Sequence, residues 1–422
     1  MRLIIAALAT LATAALASAP KAPDAASEYL TATMDDPLAR LQKRLERGEV
    51  KLRYDGAQGG YLKSLLGALK VPISSQMLVF SKTSLQFQFI TPSTPRALYF
   101  NDSCWVGFVQ GGSVLELIAQ DPVHGAVFYT LAQSPSQVVL KRQTYECLQC
   151  HQSPLTQGVP GHVMRSLYVR ADGNPDFSAG SKVTTDESPF EERWGGWYVT
   201  GTHGKMRHLG NEIARGGDGD ARLDSEAGAN LTNLREKLDT TPYLAPHSDI
   251  VALLVAEHQG HLQNLLSRAS YLVRDALRDE AQLNEALKET GRRESTTRRI
   301  ASACEPLVEA LFYTDEAPLK DKVTGTTPFA RQFAQQGPLD GRGRTLRDLD
   351  LNTRLSRYPL SWTIYSPQFD ALPKDAKDYL MRRLQEILSG KDTTKPFSHL
   401  TETDKKAIRE ILSATKPELL RQ

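Results

Sequence analysis

Arg96-Ala97-Leu98-Tyr99-Phe100, Trp105-Val106-Gly107-Phe108-Val109, Val114-Leu115-Glu116-Leu117-Ile118 and Ala126-Val127-Phe128-Tyr129 follow one another closely in a chain of 422 residues. Turn residues separate them: Asn101-Asp102, Gly111-Gly112 and Asp121-Pro122. Short runs of aromatic and branched residues between such breaks read as strands, and the short turns make them antiparallel neighbours. Just upstream, Leu85, Phe87 and Phe89 alternate with Ser84, Gln86 and Gln88 and are followed by Thr91-Pro92. The period of two therefore predicts an antiparallel meander over 76–131.

Outward from the meander the period changes. Asp36-Pro37 supplies a cap and a first-turn proline, and Gly48 a stop, which predicts a helix over 37–47. A second short helix is expected over 61–69. Residues 164–170 and 197–200 are strand candidates, with Asp172-Gly173-Asn174-Pro175 as a turn between them. From Ser248 onward Ile250, Leu253, Leu254, His258, His261, Leu262, Leu265 and Leu266 share one helical face, with Ser248 or Asp249 as cap. This helix is expected to reach about residue 279, and others to cover 296–312, 374–388 and 402–412. The fold class expected is α+β: an antiparallel β-rich N-terminal half and a largely α-helical C-terminal half.

Between those halves lies Cys147-Leu148-Gln149-Cys150-His151. Residues three apart on a helical turn project from the same side. Two thiols so placed can reach the two vinyl groups on one porphyrin edge, and the next residue brings an imidazole under the iron. This is the spacing of covalent c-type haem attachment. The same cysteines would also suit a thiol–disulfide pair, although His151 and the lack of a βαβ pattern speak against it. Compartment decides between the two. Residues 1–19 read as a secretory leader: Arg2, an apolar run over 3–17, then Ala17-Ser18-Ala19 as a small-x-small cleavage site. The apolar run is short for a membrane span of roughly 20 residues. Export to the periplasm, where c-type haem is attached in bacteria, favours the haem reading. Cys104 and Cys304 are left as a disulfide or as buried thiols. The chain has 51 Lys and Arg against 49 Asp and Glu, and loss of Arg2 with the leader leaves 50 against 49. That balance makes no electrostatic case for nucleic acid.

The group opposite His151 decides between electron transfer and chemistry. Met164 and His162 lie shortly after the motif, in Gly158-Val159-Pro160-Gly161-His162-Val163-Met164. His203 sits in Gly201-Thr202-His203-Gly204-Lys205-Met206-Arg207-His208, with Met206 as a further thioether. The plain role for Met164 is a core side chain, and for a lone histidine a polar residue without iron. Glu257 and His261, four apart on the expected helix, share a face as a metal pair would. Arg165, Arg193 and Arg207 are candidates to pair with haem propionates.

The attachment motif resembles that of the class I c-type cytochrome superfamily, with Cys147, Cys150 and His151 matching residue by residue. The stretches Arg96-Ala97-Leu98-Tyr99-Phe100-Asn101-Asp102, Val159-Pro160-Gly161-His162, Phe190 through Gly204 and Ser356-Arg357-Tyr358-Pro359-Leu360-Ser361 resemble exported bacterial cytochrome-c-domain-containing proteins over most of the chain. The resemblance implies one covalent haem c but supplies no reaction. The sheet ahead of the motif, and the absence of a clear distal Met loop after it, set the chain apart from small cytochromes. The expectation is an exported mono-haem cytochrome that transfers electrons to a periplasmic redox partner protein and does not span the membrane after leader cleavage. The alternative is a periplasmic haem enzyme or sensor with an open or displaceable sixth iron site, acting on peroxide, nitrogen oxides or small molecules, its catalytic residues unknown. The division expected is a leader over 1–19, a β-rich region over 20–135, a haem-attachment region over 136–246 and a helical region over 247–422.

Overall fold

Strands of the meander pair in chain order: β1 (Met77–Val79), β2 (Arg96–Phe100), β3 (Cys104–Phe108), β4 (Val114–Asp121), β5 (Gly125–Ala132) and β6 (Leu140–Gln143). A computed structural model describes residues 24–56, 59–136, 138–216 and 219–421; the leader expected over 1–19 lies outside them. β7 (Arg165–Leu167) and β8 (Ser181–Val183) make a separate ribbon. β9 (Trp197–Tyr198) returns to β1, pairing Tyr198 with Leu78, and completes a seven-stranded antiparallel sheet in the order β6-β5-β4-β3-β2-β1-β9. The strand expected around Leu85, Phe87 and Phe89 does not form. Residues 87–89 are a 3-10 turn and the three side chains are exposed. Gln86 explains this: its side-chain amide bonds both the N–H and the C=O of Val114, each at 3.1 Å. A side chain thus stands where a neighbouring backbone would otherwise extend the pairing of β4.

Side chains alternate across a strand, so the register assigns each to a face. Tyr99, Val106, Leu117 and Leu131 share one face and pack with α1 (Ala25–Thr31), α2 (Pro37–Glu46) and α3 (Leu62–Leu69). The cap of α2 forms as its sequence predicts: the Asp36 carboxylate accepts the N–H groups of Leu38 (2.7 Å) and Ala39 (3.0 Å). The Tyr129 hydroxyl donates to its other oxygen at 2.6 Å, which ties the cap to the sheet. Arg96, Leu98, Phe100, Trp105, Gly107, Glu116, Ile118, Gln120 and Phe128 belong to the opposite face. Phe100 and Trp105 are buried under the helical half, whereas Arg96, Leu98, Glu116 and Ile118 are only half-buried.

After the one-turn α4 (Leu148–His151), the C-terminal half is built on α5 (Ile250–Leu287), which runs two turns beyond its expected end. Asp249 caps it. Its Oδ1 accepts from Val251 (2.9 Å) and Ala252 (3.2 Å), and its Oδ2 accepts the N–H groups of Thr326 (2.9 Å) and Thr327 (2.8 Å) and the Thr327 hydroxyl (2.8 Å). Every residue from Ile250 to Gly260 is buried, as befits a helix enclosed by protein on all sides. α6 (Glu294–Leu311), α7 (Phe329–Ala334), α8 (Pro367–Asp370), α9 (Lys374–Leu388) and α10 (Glu402–Thr415) share its core. The sheet in the first half and the helices in the second make the fold α+β. Among the described residues, no helix is long and apolar enough to cross a membrane. Cys104 is buried with the sheet and Cys304 in the helical core, both as free thiols, so no disulfide joins the halves.

Candidate functional site

Residues 147–151 occupy the turn that follows β6. The amides of Cys150 (3.3 Å) and His151 (3.0 Å) both return to the Cys147 carbonyl, which winds the five residues into one turn. Both thiols are free; Cys150 is exposed and Cys147 half-buried. Burial, with the Glu116 and Glu146 carboxylates adding to it, pushes the Cys147 thiol up to about 12. A disulfide-exchange cysteine is shifted the other way, toward thiolate. Cys147 therefore lacks the character of a redox-exchange thiol.

His151 is held from one side. Its Nδ1–H donates to the Gly161 carbonyl at 2.8 Å, and its ring stands 4.8 Å from that of Phe128. The bond sets the tautomer and leaves Nε2 as the nitrogen free to ligate, an arrangement shared by metal-bound histidines. Burial lowers the pKa of His151, so its imidazole is neutral and keeps that lone pair. The acceptor is itself anchored. Asn264 on α5 accepts the His162 N–H at Oδ1 and donates from Nδ2 to the His162 carbonyl, both at 2.8 Å. Gly260, one turn earlier, makes the close approach possible: a methyl group there would stand 3.3 Å from His162 Cβ.

The half-covered part of the sheet lies on the His151 side. Phe128 belongs to that face, and Arg96 and Glu116 both act electrostatically on His151. Leu98 and Glu116 flank Gly107, which contributes no side chain, and half-buried Ile118 lies diagonally from it on the same face. Arg96 pairs with Glu116 at 2.9 Å, while its Nε is buried without a partner. Two thiols, a neutral imidazole and a nearby guanidinium are the groups that would hold a porphyrin edge and its carboxylates. Arg96 was not among the arginines singled out from sequence. Those are engaged elsewhere: Arg165 with Ser181, Arg193 with Glu257 (2.9 Å) and Arg207 with Glu226 (2.6 Å).

The candidates for the sixth position are dispersed. His162 is buried against Trp105, ring centroids 5.0 Å apart, and its Nε2 is engaged by the Gln120 side-chain amide. Burial, with His151 nearby, holds its pKa at about 3. Met164 is buried and joins His162 in lining a cavity of about 390 Å³. His203 packs with Phe190 and His208. Its Nδ1–H donates to the Met206 carbonyl (2.8 Å) and its Nε2 accepts the Asn230 N–H (3.1 Å), so both nitrogens are in use. The Met206 sulfur accepts the Lys320 N–H at 3.3 Å. Glu257 and His261 do not form a metal pair, each being engaged by a different partner: Glu257 by Arg193 (2.9 Å) and His261 by Asp186 (3.0 Å). Among the described residues no group of three or more His, Cys, Asp or Glu could hold a metal ion.

Asp186 is the residue that sequence reasoning missed. Its carboxylate accepts from Nδ1 of His258 (2.6 Å) and Nδ1 of His261 (3.0 Å), and His258 Nε2 lies 2.8 Å from the Ser361 hydroxyl. Burial would raise its pKa, but the two histidines hold it far below the usual carboxylate range. Serine, histidine and aspartate in this order match a nucleophilic triad. Ser361 and His258 are fully buried, however, with His258 stacked on Tyr313 at 4.2 Å, so the hydroxyl is shut away from any acyl donor. The helical spacing of His258 and His261 was visible in the sequence; their shared partner far upstream was not. No family model matches the chain, and no curated protein and no solved structure matches it.

Proposed function

We propose that this protein is an exported mono-haem c-type cytochrome that holds one haem covalently through Cys147 and Cys150, with His151 as proximal ligand, and passes electrons to a periplasmic redox partner protein. The observation that carries this reading is the hydrogen bond from His151 Nδ1 to the Gly161 carbonyl, which presents Nε2 beside two free thiols on one turn. When bound, haem supplies a one-electron ferric–ferrous couple. Gly161 and Asn264 orient the imidazole and raise its basicity. Phe128 would cover one side of the imidazole, and Arg96, already paired with Glu116, would be the group to meet a haem carboxylate. The test is production by export in a host competent for haem attachment. The expected product carries one haem on the peptide containing Cys147 and Cys150, retained after denaturation, with a c-type reduced spectrum. A colourless protein would overturn the reading.

One observation favours the alternative of a haem enzyme or sensor with an open or displaceable sixth site. Both nitrogens of His203 and Nε2 of His162 already have partners, so neither histidine stands ready as a sixth ligand. Carbon monoxide added to the reduced protein separates the two. A shifted Soret band supports the open site, and an unmoved spectrum supports the electron carrier, with Met164 as the remaining candidate ligand.

A further inference from the structure

A cavity of about 390 Å³ lies between the attachment segment and α5, with Gln157 and Met164 on one side and Glu257, His261 and Asn264 on the other. A second, of about 510 Å³, shares Gln157, Glu187 and His261 with it. Both volumes fall in the range of small-molecule sites. Three features of the lining define what it would take.

Glu257 is 1% exposed. Its Oε2 accepts from Arg193 at 2.9 Å, whereas Oε1 has no hydrogen-bond partner, with the Thr184 side chain beside it. A buried acceptor without a donor is costly, and a ligand bringing an N–H would satisfy it. His261 is oriented by Asp186 through Nδ1, and its Nε2 stands 3.9 Å from the Glu187 carboxylate. Asp186 is itself anchored by His258, so the imidazole has a fixed direction. Carboxyl groups outnumber the cations of the lining: Glu187 and Glu257, the latter paired with Arg193 and pushed up to about 7 by burial, are joined in the second cavity by Glu309 and Asp315. Arg268 is the single Arg or Lys lining either cavity.

We propose that this cavity is a binding site for a small organic cation bearing N–H donors, of the amine or guanidine class. Its N–H groups are received by the buried Oε1 of Glu257 and by Glu187. Asp186 is a positioning residue that holds His261 through Nδ1. The inference goes beyond the haem reading and no part of it needs haem.

The test is isothermal titration calorimetry of the full protein, as exported, at about pH 8. The probes are methylammonium and guanidinium chloride, with tetramethylammonium chloride and sodium acetate as controls. Saturable one-to-one binding of methylammonium or guanidinium is expected, with no binding of tetramethylammonium, which has no N–H. Loss of one charged hydrogen bond should weaken affinity about tenfold in Glu187→Gln, a half-exposed position whose replacement leaves the core untouched. Absence of saturable binding of both cations, preference for acetate, or unchanged affinity in Glu187→Gln would overturn the proposal. A colourless protein that binds guanidinium would sink the haem reading alone; a haem-loaded protein that binds neither cation would sink this one alone.

Discussion

Asn264→Ala is the substitution that tests how the proximal histidine is held. Asn264 is buried and its amide makes two 2.8 Å bonds, one to each side of the His162 backbone. Each bond is worth about 1 kcal/mol net, and each His162 group left buried without a partner costs about 1–3 kcal/mol, offset where water from the adjoining cavity replaces the amide. The expected loss is about 2–4 kcal/mol. Urea unfolding at neutral pH measures it, the midpoint falling while the slope stays constant. On the haem reading, the haem content should not change, because the thioethers would be untouched, but the looser Gly161 carbonyl should shift the reduction potential through His151. Asn264→Asp keeps the acceptor and sets a carboxylate oxygen against the His162 carbonyl, so it should be no more stable than alanine. A loss below about 0.5 kcal/mol, with an unchanged potential, would refute the clamp.

Other outcomes follow from the same geometry. If the chain carries the proposed haem, His151→Ala should keep it and lose the proximal ligand, seen as a changed Soret band with unchanged haem content per chain; an unaltered spectrum would remove His151 from the iron. Asp249→Asn should cost about 2–4 kcal/mol despite its matched shape, because an NH₂ group is turned against donors that now share the carboxylate; thermal unfolding measures it. His162 and His208 are both held at about 3 by burial, against about 6.5 in the unfolded chain. Below about pH 6.5 the unfolded chain takes up protons that the folded chain refuses, so stability is full above that pH. It should fall by about 1.4 kcal/mol per pH unit for each histidine as the pH drops toward about 3. Glu257 and Glu316, which burial pushes up to about 7 and about 8, act in the opposite sense over this range, so the histidine contribution is read by difference: a His208→Gln chain whose urea midpoints follow the native pH profile between about pH 7 and 5 would contradict it.

Periodicity made much of this architecture legible. α9 has the bounds its pattern predicts, and α2 begins at the Asp36-Pro37 signal, because caps and apolar spacing are local properties. The segment at Leu85, Phe87 and Phe89 shows the limit: the alternation is real, yet the Gln86 amide takes the pairing position and leaves those side chains in water. For the site, the Cys147, Cys150 and His151 spacing is local and readable. The groups that orient it are not, since Asn264 reaches His162 and Asp186 reaches His258 and His261 across long stretches of chain. Arg96 was hidden for a related reason, since only the strand register places it on the face that His151 overlooks.

The pairing of Tyr198 with Leu78 has a consequence for the order of assembly. Strands β2 to β6 join neighbours in sequence, and such contacts close small loops at low entropic cost. The edge at β1 must wait for residues that follow the attachment motif, and for α5, whose Asn264 fastens His162. On the haem reading, an exported chain would complete most of its sheet while the turn bearing Cys147 and Cys150 is still untethered on its distal side. The thiols would then be open to modification before the closing strand and the long helix draw His151 into its final direction, and late closure would make a covalent attachment compatible with a buried ligand.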